Sequence, residues 1–192
     1  MTQVLAITIS EGIVLAADSH VLVGPPQGPF KAGPPEQKLF VIANRYSALT
    51  FGNGPVGDHV PSAIATLPSM ENAYAMSQAF LTRFGSPTPP PEMGLLVGGY
   101  DSGAFVLFET PIASKKIRQL HTPIVCRGVV NEPTELPGYE PRDFSALSFD
   151  RAAAEACRLI HATSALHPDK VGGPVQLAYV TKTGVKQASE RM

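Results

Sequence analysis

Thr2 follows a single methionine, and the apolar run from Val4 to Ile9 returns through Glu11 and Gly12 into Ile13 to Ala17, Asp18 and Ser19. Trimming of an initiator methionine requires a small second residue, so the sequence predicts Thr2 as the mature N-terminus. A hydroxyl nucleophile and a free amine would then sit on one residue, which can act as its own general base. A threonine hydroxyl is a weak nucleophile near neutral pH, whereas an α-amine titrates at about 7.7–8.0 and is partly unprotonated there. A nearby cation would lower the amine's proton affinity further, and a carboxylate would hold that cation in place.

Asp18 and Lys38 are the candidates for those two roles. A tight turn at Ser10-Glu11-Gly12 joins runs of similar length, which brings Asp18 back beside residue 2. Lys38 opens the next apolar run, Leu39-Phe40-Val41-Ile42. A second lysine, Lys31, lies in the intervening segment; Lys38 is preferred because it adjoins the strand. Against a catalytic reading stands a plainer one, in which Met-Thr is a common start and Asp-Ser at a strand end is turn chemistry.

The ordered set of Thr2, the hairpin, Ala16-Ala17-Asp18-Ser19-His20, Lys38-Leu39-Phe40 and Thr50-Phe51-Gly52-Asn53-Gly54 resembles the proteasome β-subunit branch of the N-terminal nucleophile hydrolases. The resemblance implies that Thr2 is the catalytic threonine, Asp18 the catalytic aspartate and Lys38 the lysine. It places the oxyanion-holding backbone N–H at Gly52 or Gly54, a donor worth about 2.7–4 kcal/mol where one has been removed from other enzymes. Met93 to Asp101 with Phe105 to Phe108 looks like the family's central hairpin, and Val171-Gly172-Gly173 like its late glycine pair. The match departs at two family serines, replaced in Arg127-Gly128-Val129 and by Val171. Ser19, and Asp169 one residue off the family's aspartate, are the auxiliary candidates.

Composition agrees with one globular unit. The 192 residues are 44% hydrophobic, enough for a sizeable core in a single domain spanning 1–192. Fifteen basic residues against 16 acidic ones, with no basic run, give no reason to expect nucleic acid or an anionic membrane as partner. The apolar stretches are strand-sized and broken by Gly or Pro, and no secretory signal is visible. Cys126 and Cys157 are too few for a disulfide framework or a zinc site and read as buried thiols in a cytoplasmic protein. The five histidines show no metal-ligand spacing; His20 lies nearest the proposed site. No metal or cofactor is expected.

The elements that must position these residues run strands, helix, helix, strands, helix, strands. Helical spacing predicts one helix over residues 56–67, ending before Pro68, and a second from about Met70 to Phe84. Ser148 is a plausible N-cap for a third helix, with Ala152, Ala156, Leu159 and Ile160 facing inward. Three proline-rich segments, at residues 24–35, 87–91 and 133–141, read as stiff loops, the first of them beside the substrate pocket. Glu36, in the same segment, would favour a basic substrate side chain if it faces that pocket and is otherwise solvated surface. Strand pairs before and after helical pairs predict an α+β fold, a four-layer αββα sandwich.

The resulting expectation is a threonine peptidase or amidohydrolase that acts through a Thr2 acyl-ester, assembles into a homo-oligomeric ring or barrel, and is fed peptide or unfolded protein, in some such systems by an ATPase unfoldase. The resemblance places it nearest the peptidase of the HslVU system and ancestral β-like proteins. A small-molecule amidase and an inactive scaffold ring are the alternatives.

Overall fold

The structure is a computed structural model and describes residues 2–23, 31–53 and 59–190. Its first element pair follows directly from sequence. Strand β1 (Gln3–Ile9) and strand β2 (Gly12–Ala17) form an antiparallel hairpin in which Val4 faces Ala17 and Ile9 faces Gly12. No residue of β2 carries a polar side chain and all six are buried, as a strand covered on both faces requires.

The remaining strands are β3 (Leu22–Val23), β4 (Lys31–Ala32), β5 (Leu39–Ile42), β6 (Tyr46–Asn53), β7 (Glu92–Asp101), β8 (Ala104–Pro111), β9 (Arg118–Gln119), β10 (Ile124–Gly128), β11 (Val175–Thr181) and β12 (Gly184–Glu190). They form two five-stranded antiparallel sheets, β10-β1-β2-β11-β12 and β5-β6-β7-β8-β9, with β3 and β4 as a separate short pair. Val4, Ala6, Ile13, Leu15, Leu39, Leu49 and Leu96 from the two sheets share one buried cluster. The alternate residues of β1, Leu5 and Ile7, point to the opposite face and pack with helix α3 (Phe149–Leu166). Period-two alternation therefore assigns the odd and even positions of one strand to two different cores.

Helix α3 starts where the sequence predicts, with the Ser148 side chain accepting from the Arg151 N–H. Leu159 and Ile160 are fully buried, each contributing about 1.5–3 kcal/mol by leaving water. On the second sheet, helix α2 (Ala73–Phe84) buries Met76, Phe80 and Phe84 against β7 and β8. It begins three residues later than expected because Asn72 caps it, its side chain accepting from Ala75 N–H at 2.9 Å, while Asp101 accepts from Ala73 N–H. Of the helix expected over residues 56–67, residues 56–58 lie outside the described residues, and the rest contains α1 (His59–Ile64) followed by a 3-10 turn, Leu67–Ser69.

These helices are too few for the expected four-layer αββα sandwich, and that expectation is corrected. Among the described residues there are only three α-helices, of which α1 has six residues and α3 stands alone on its sheet. The molecule is a β-rich domain built on two antiparallel sheets. Two strands of the first sheet were not singled out in the sequence. The segment around Arg127 is β10, paired with β1 from Gln3 to Ile7. A further strand, β12, follows β11 at the sheet edge, and its mostly polar residues carry little strand signal.

Candidate active site

Asp18 is the fixed point. It leaves the end of β2 fully buried, and four donors converge on its carboxylate. Oδ1 accepts from the Gln3 N–H at 2.8 Å and from Lys38 Nζ at 3.0 Å; Oδ2 accepts from His20 N–H at 3.1 Å and Gly172 N–H at 3.2 Å. A buried carboxylate is tolerable only when its oxygens are satisfied in this way.

Thr2 is held by its peptide units. The N–H of the Thr2–Gln3 peptide is the one bound to Asp18, and the Thr2 carbonyl accepts from Val129 N–H at 3.0 Å. The Gln3 side chain, itself buried, clamps Val130 at both backbone groups, donating to its carbonyl at 3.1 Å and accepting from its N–H at 2.9 Å. Gly128 makes this approach possible: its φ is +129°, and a Cβ there would lie 1.7 Å from the Thr2 carbonyl oxygen. Thr2 itself is 5% exposed. By alternation along β1 it shares the face of Val4 and Ala6, toward the second sheet.

Lys38 arrives from that second sheet. Its ammonium also donates to the His20 carbonyl, and its own carbonyl accepts from Thr50 N–H at 3.0 Å. Burial pushes its pKa below the ordinary lysine value; the charge of Asp18, the hydrogen bond to it and the charge of Glu36 oppose that shift without cancelling it. A lysine whose ammonium is disfavoured by burial yet held by a carboxylate is a titratable cation set close to Thr2. Lys31, the alternative, is exposed on β4.

The other sequence candidates divide. Gly52, at the end of β6, has φ +90°, and a Cβ there would meet the Glu92 carbonyl oxygen at 2.2 Å, so only glycine fits. Gly54 lies outside the described residues, as do Met1 and residues 24–30 of the proline-rich loop. Ser19 is buried and engages through its backbone: its N–H donates to the Gly172 carbonyl at 3.1 Å and its carbonyl accepts from Glu36 N–H at 2.9 Å. The Ser19 hydroxyl has no hydrogen-bond partner among the described residues. Asp169 is exposed in the turn after α3 and is not a partner of Asp18. Val171 packs in the apolar cluster beneath α3.

Sequence reasoning missed two residues, Gln3 and Gln176. Gln176 accepts from Lys38 N–H and Leu39 N–H, each at 3.0 Å, and donates to the Glu36 carbonyl at 2.7 Å. A lone amide side chain in an otherwise apolar strand was the available signal in both cases. Among the described residues no group of His, Cys, Asp and Glu is arranged to hold a metal ion, and no helix is long and apolar enough to cross a membrane.

No family model matches the sequence, and no curated protein matches it either. Among solved structures the chain is similar to the Gly-1 mutant of Anbu from Hyphomicrobium sp. strain MC1, with a TM-score of 0.74 at 15% identity, over 100% of this chain and 86% of that one. This is a relation of fold to a proteasome-like protein. It corrects the resemblance drawn from sequence: membership of the proteasome β-subunit and HslVU-peptidase branch is not carried by the sequence comparisons, and the β-rich body lacks the clear layered sandwich of that group.

Proposed function

We propose that the protein is a threonine-dependent amidohydrolase acting on peptide bonds, with Thr2 as nucleophile once the chain preceding it has been removed. The observation that carries this reading is the shared carboxylate oxygen: Asp18 Oδ1 accepts from both the Thr2–Gln3 peptide N–H and Lys38 Nζ. A buried cation is thereby tied to the residue whose amine would have to lose a proton.

In the proposed cycle the Thr2 amine takes the hydroxyl proton as Oγ bonds to the substrate carbonyl carbon. A backbone N–H near Gly52 holds the oxyanion. The C–N bond then breaks, the leaving amine takes the proton, and an ester to Oγ remains. Water attacks that ester with the Thr2 amine as base, the C–Oγ bond breaks, and the carboxylic product leaves with Thr2 restored. Asp18 orients Lys38, and the Lys38 charge disfavours protonation of the amine.

Self-association into a ring or barrel, with an unfoldase delivering protein substrate, belongs to the same proposal and is supported by the fold relation to a proteasome-like protein. A second reading, a catalytically silent subunit, is favoured by Val129 and Val171, which pack in or against the apolar cluster beneath α3 and bring no hydroxyl to the site. N-terminal mass spectrometry of the purified protein, paired with hydrolysis of peptide amides, separates the two. A blocked or extended N-terminus and no turnover would overturn the enzyme reading.

A further inference from the structure

Gln176 stands at an unusual point in the wiring. On β11 its register partner is Ala17, the residue immediately before Asp18. By alternation it shares the face of Ala178 and Val180, which pack in the apolar core between the sheets. A polar side chain on such a face is destabilising unless its amide is satisfied. Here it is, by three backbone groups of a different sheet's leading segment: Oε1 accepts from Lys38 and Leu39, and Nε2 donates to Glu36. Two adjacent N–H donors facing one atom fix which end of the amide is oxygen.

We infer that Gln176 is a positioning residue that sets the reach of Lys38 onto Asp18. The strand ladder fixes Gln176 to the strand bearing Asp18, and its side chain fixes the backbone from which Lys38 extends. The Lys38 carbonyl is held separately, by Thr50. Without Gln176, the main-chain N–H groups of residues 38 and 39 would lose their acceptor, and the ammonium would lose the origin from which a 3.0 Å contact with Asp18 is made. This inference rests on the role proposed for Lys38 above and names the group that enforces it.

The test compares the full-length protein with Gln176→Glu, which keeps an oxygen toward both N–H groups, and with Gln176→Leu, which removes it at similar volume; Gln176→Met is a second apolar variant should leucine not fold. Hydrolysis of a panel of aminocoumarin peptide amides is followed across pH. The apolar variant should lose about 10- to 100-fold in kcat, the size of effect expected from misplacing a group near the chemistry. KM should stay within about twofold, because the loss is of transition-state and not ground-state interaction, and the basic-side requirement should move to higher pH, because a displaced ammonium disfavours protonation of the Thr2 amine less. Gln176→Glu, which restores the acceptor for both N–H groups but not the donor to the Glu36 carbonyl, should recover part of the kcat that the apolar variant loses. Wild-type kcat and pH profile in the apolar variant, or equal impairment in Gln176→Glu, would overturn the inference.

Titration of Lys38 by carbon NMR of labelled lysine, in a Thr2→Ala background with and without Gln176→Leu, gives a readout independent of turnover. Release of the ammonium toward water should raise its titration toward the ordinary lysine value, and an unmoved lysine counts against the role. If the unsubstituted protein hydrolyses none of the amides, the Thr2 reading fails by itself, and this titration still decides the role of Gln176.

Discussion

Two acid–base pairs join the sheets of this molecule, and they are built to opposite ends. Asp18 and Lys38 meet at strand termini, with side chains 0% and 8% exposed, and every oxygen of the carboxylate is occupied. Glu109 on β8 meets Arg127 on β10 through Arg127 Nε, and Glu109 Oε2 is left without a partner among the described residues. Arg127 Nη1 donates to the carbonyls of Cys126 and Asn131. Burial lowers the Lys38 pKa in spite of Asp18. For Arg127, burial also opposes the charge, but the hydrogen bond to Glu109 and its charge outweigh it and hold the guanidinium above its usual value. An arginine cannot give up its proton in a protein, whereas a buried lysine can. One pair is a clamp; the other is a poised charge, and it is the poised one that lies beside Thr2.

The largest effect should come from the nucleophile itself. Thr2→Ala keeps a small residue for processing and should lower peptide-amide hydrolysis by at least about three orders of magnitude; normal turnover would end the proposal. Lys38→Ala comes next, with a loss of about 100-fold or more. A cation disfavours protonation of a neighbouring amine, so its removal raises that amine's pKa, and the rate, which needs the neutral amine, climbs only at more alkaline pH. The exposed Lys31 provides the control: Lys31→Ala should leave the profile unchanged. An unshifted profile in Lys38→Ala would place the poised charge elsewhere.

Arg127→Met probes the clamp. Loss of a charge-assisted hydrogen bond should lower stability by about 1.5–3 kcal/mol, read as a shift in the denaturant midpoint. The midpoint of the pH–rate profile should not move, because Arg127 is paired with Glu109 and not with the carboxylate that ties Lys38 to the Thr2–Gln3 peptide. A profile displaced as far as in Lys38→Ala would erase the distinction between the two pairs.

The half of this comparison that lies on one hairpin could be read from sequence. Thr2 and Asp18 flank the two strands of one hairpin, whose apolar runs and turn fix the register, and Lys38 adjoins a strand of the same kind. Ser148 announced its helix for the same local reason. Long-range partners were not legible. Gln3 finds Val130 across 127 positions, and Gln176 finds Lys38 across 138. A lone amide in an apolar strand marks each position, but nothing in either neighbourhood names the partner that satisfies it. The β10 strand was missed because its Arg127-Gly128 end looks like a turn until Thr2 is placed against it. The number of layers failed because the apolar segment before Pro68 was counted as a full helix, whereas among the described residues α1 has only six.

The smallest effect calibrates the other two pairs from outside the inter-sheet core. Glu155 on α3 is held by Arg142 and Arg158, at 2.7 and 2.8 Å, but those arginine side chains are 37% and 45% exposed. The hydrogen bond from Arg158 holds the Glu155 carboxyl below its usual range; burial opposes this, and the charges of Arg158 and Arg142 reinforce it. A folded-state pKa below the unfolded one means that the unfolded chain takes up the proton first as pH falls. The stability from this group is therefore present in full above the ordinary carboxylate pKa of about 4.3 and is lost as pH drops through the folded value. With both partners open to water, screening limits it to under about 1 kcal/mol. Denaturant midpoints of the protein and Glu155→Gln should thus differ slightly at neutral pH and converge on acidification. A gap that stays constant with pH would show that Glu155 acts by packing and not by charge. A gap as large as that of Arg127→Met would show that exposure of the partner makes no difference, and with it would go the argument that burial separates a poised pair from an ordinary one.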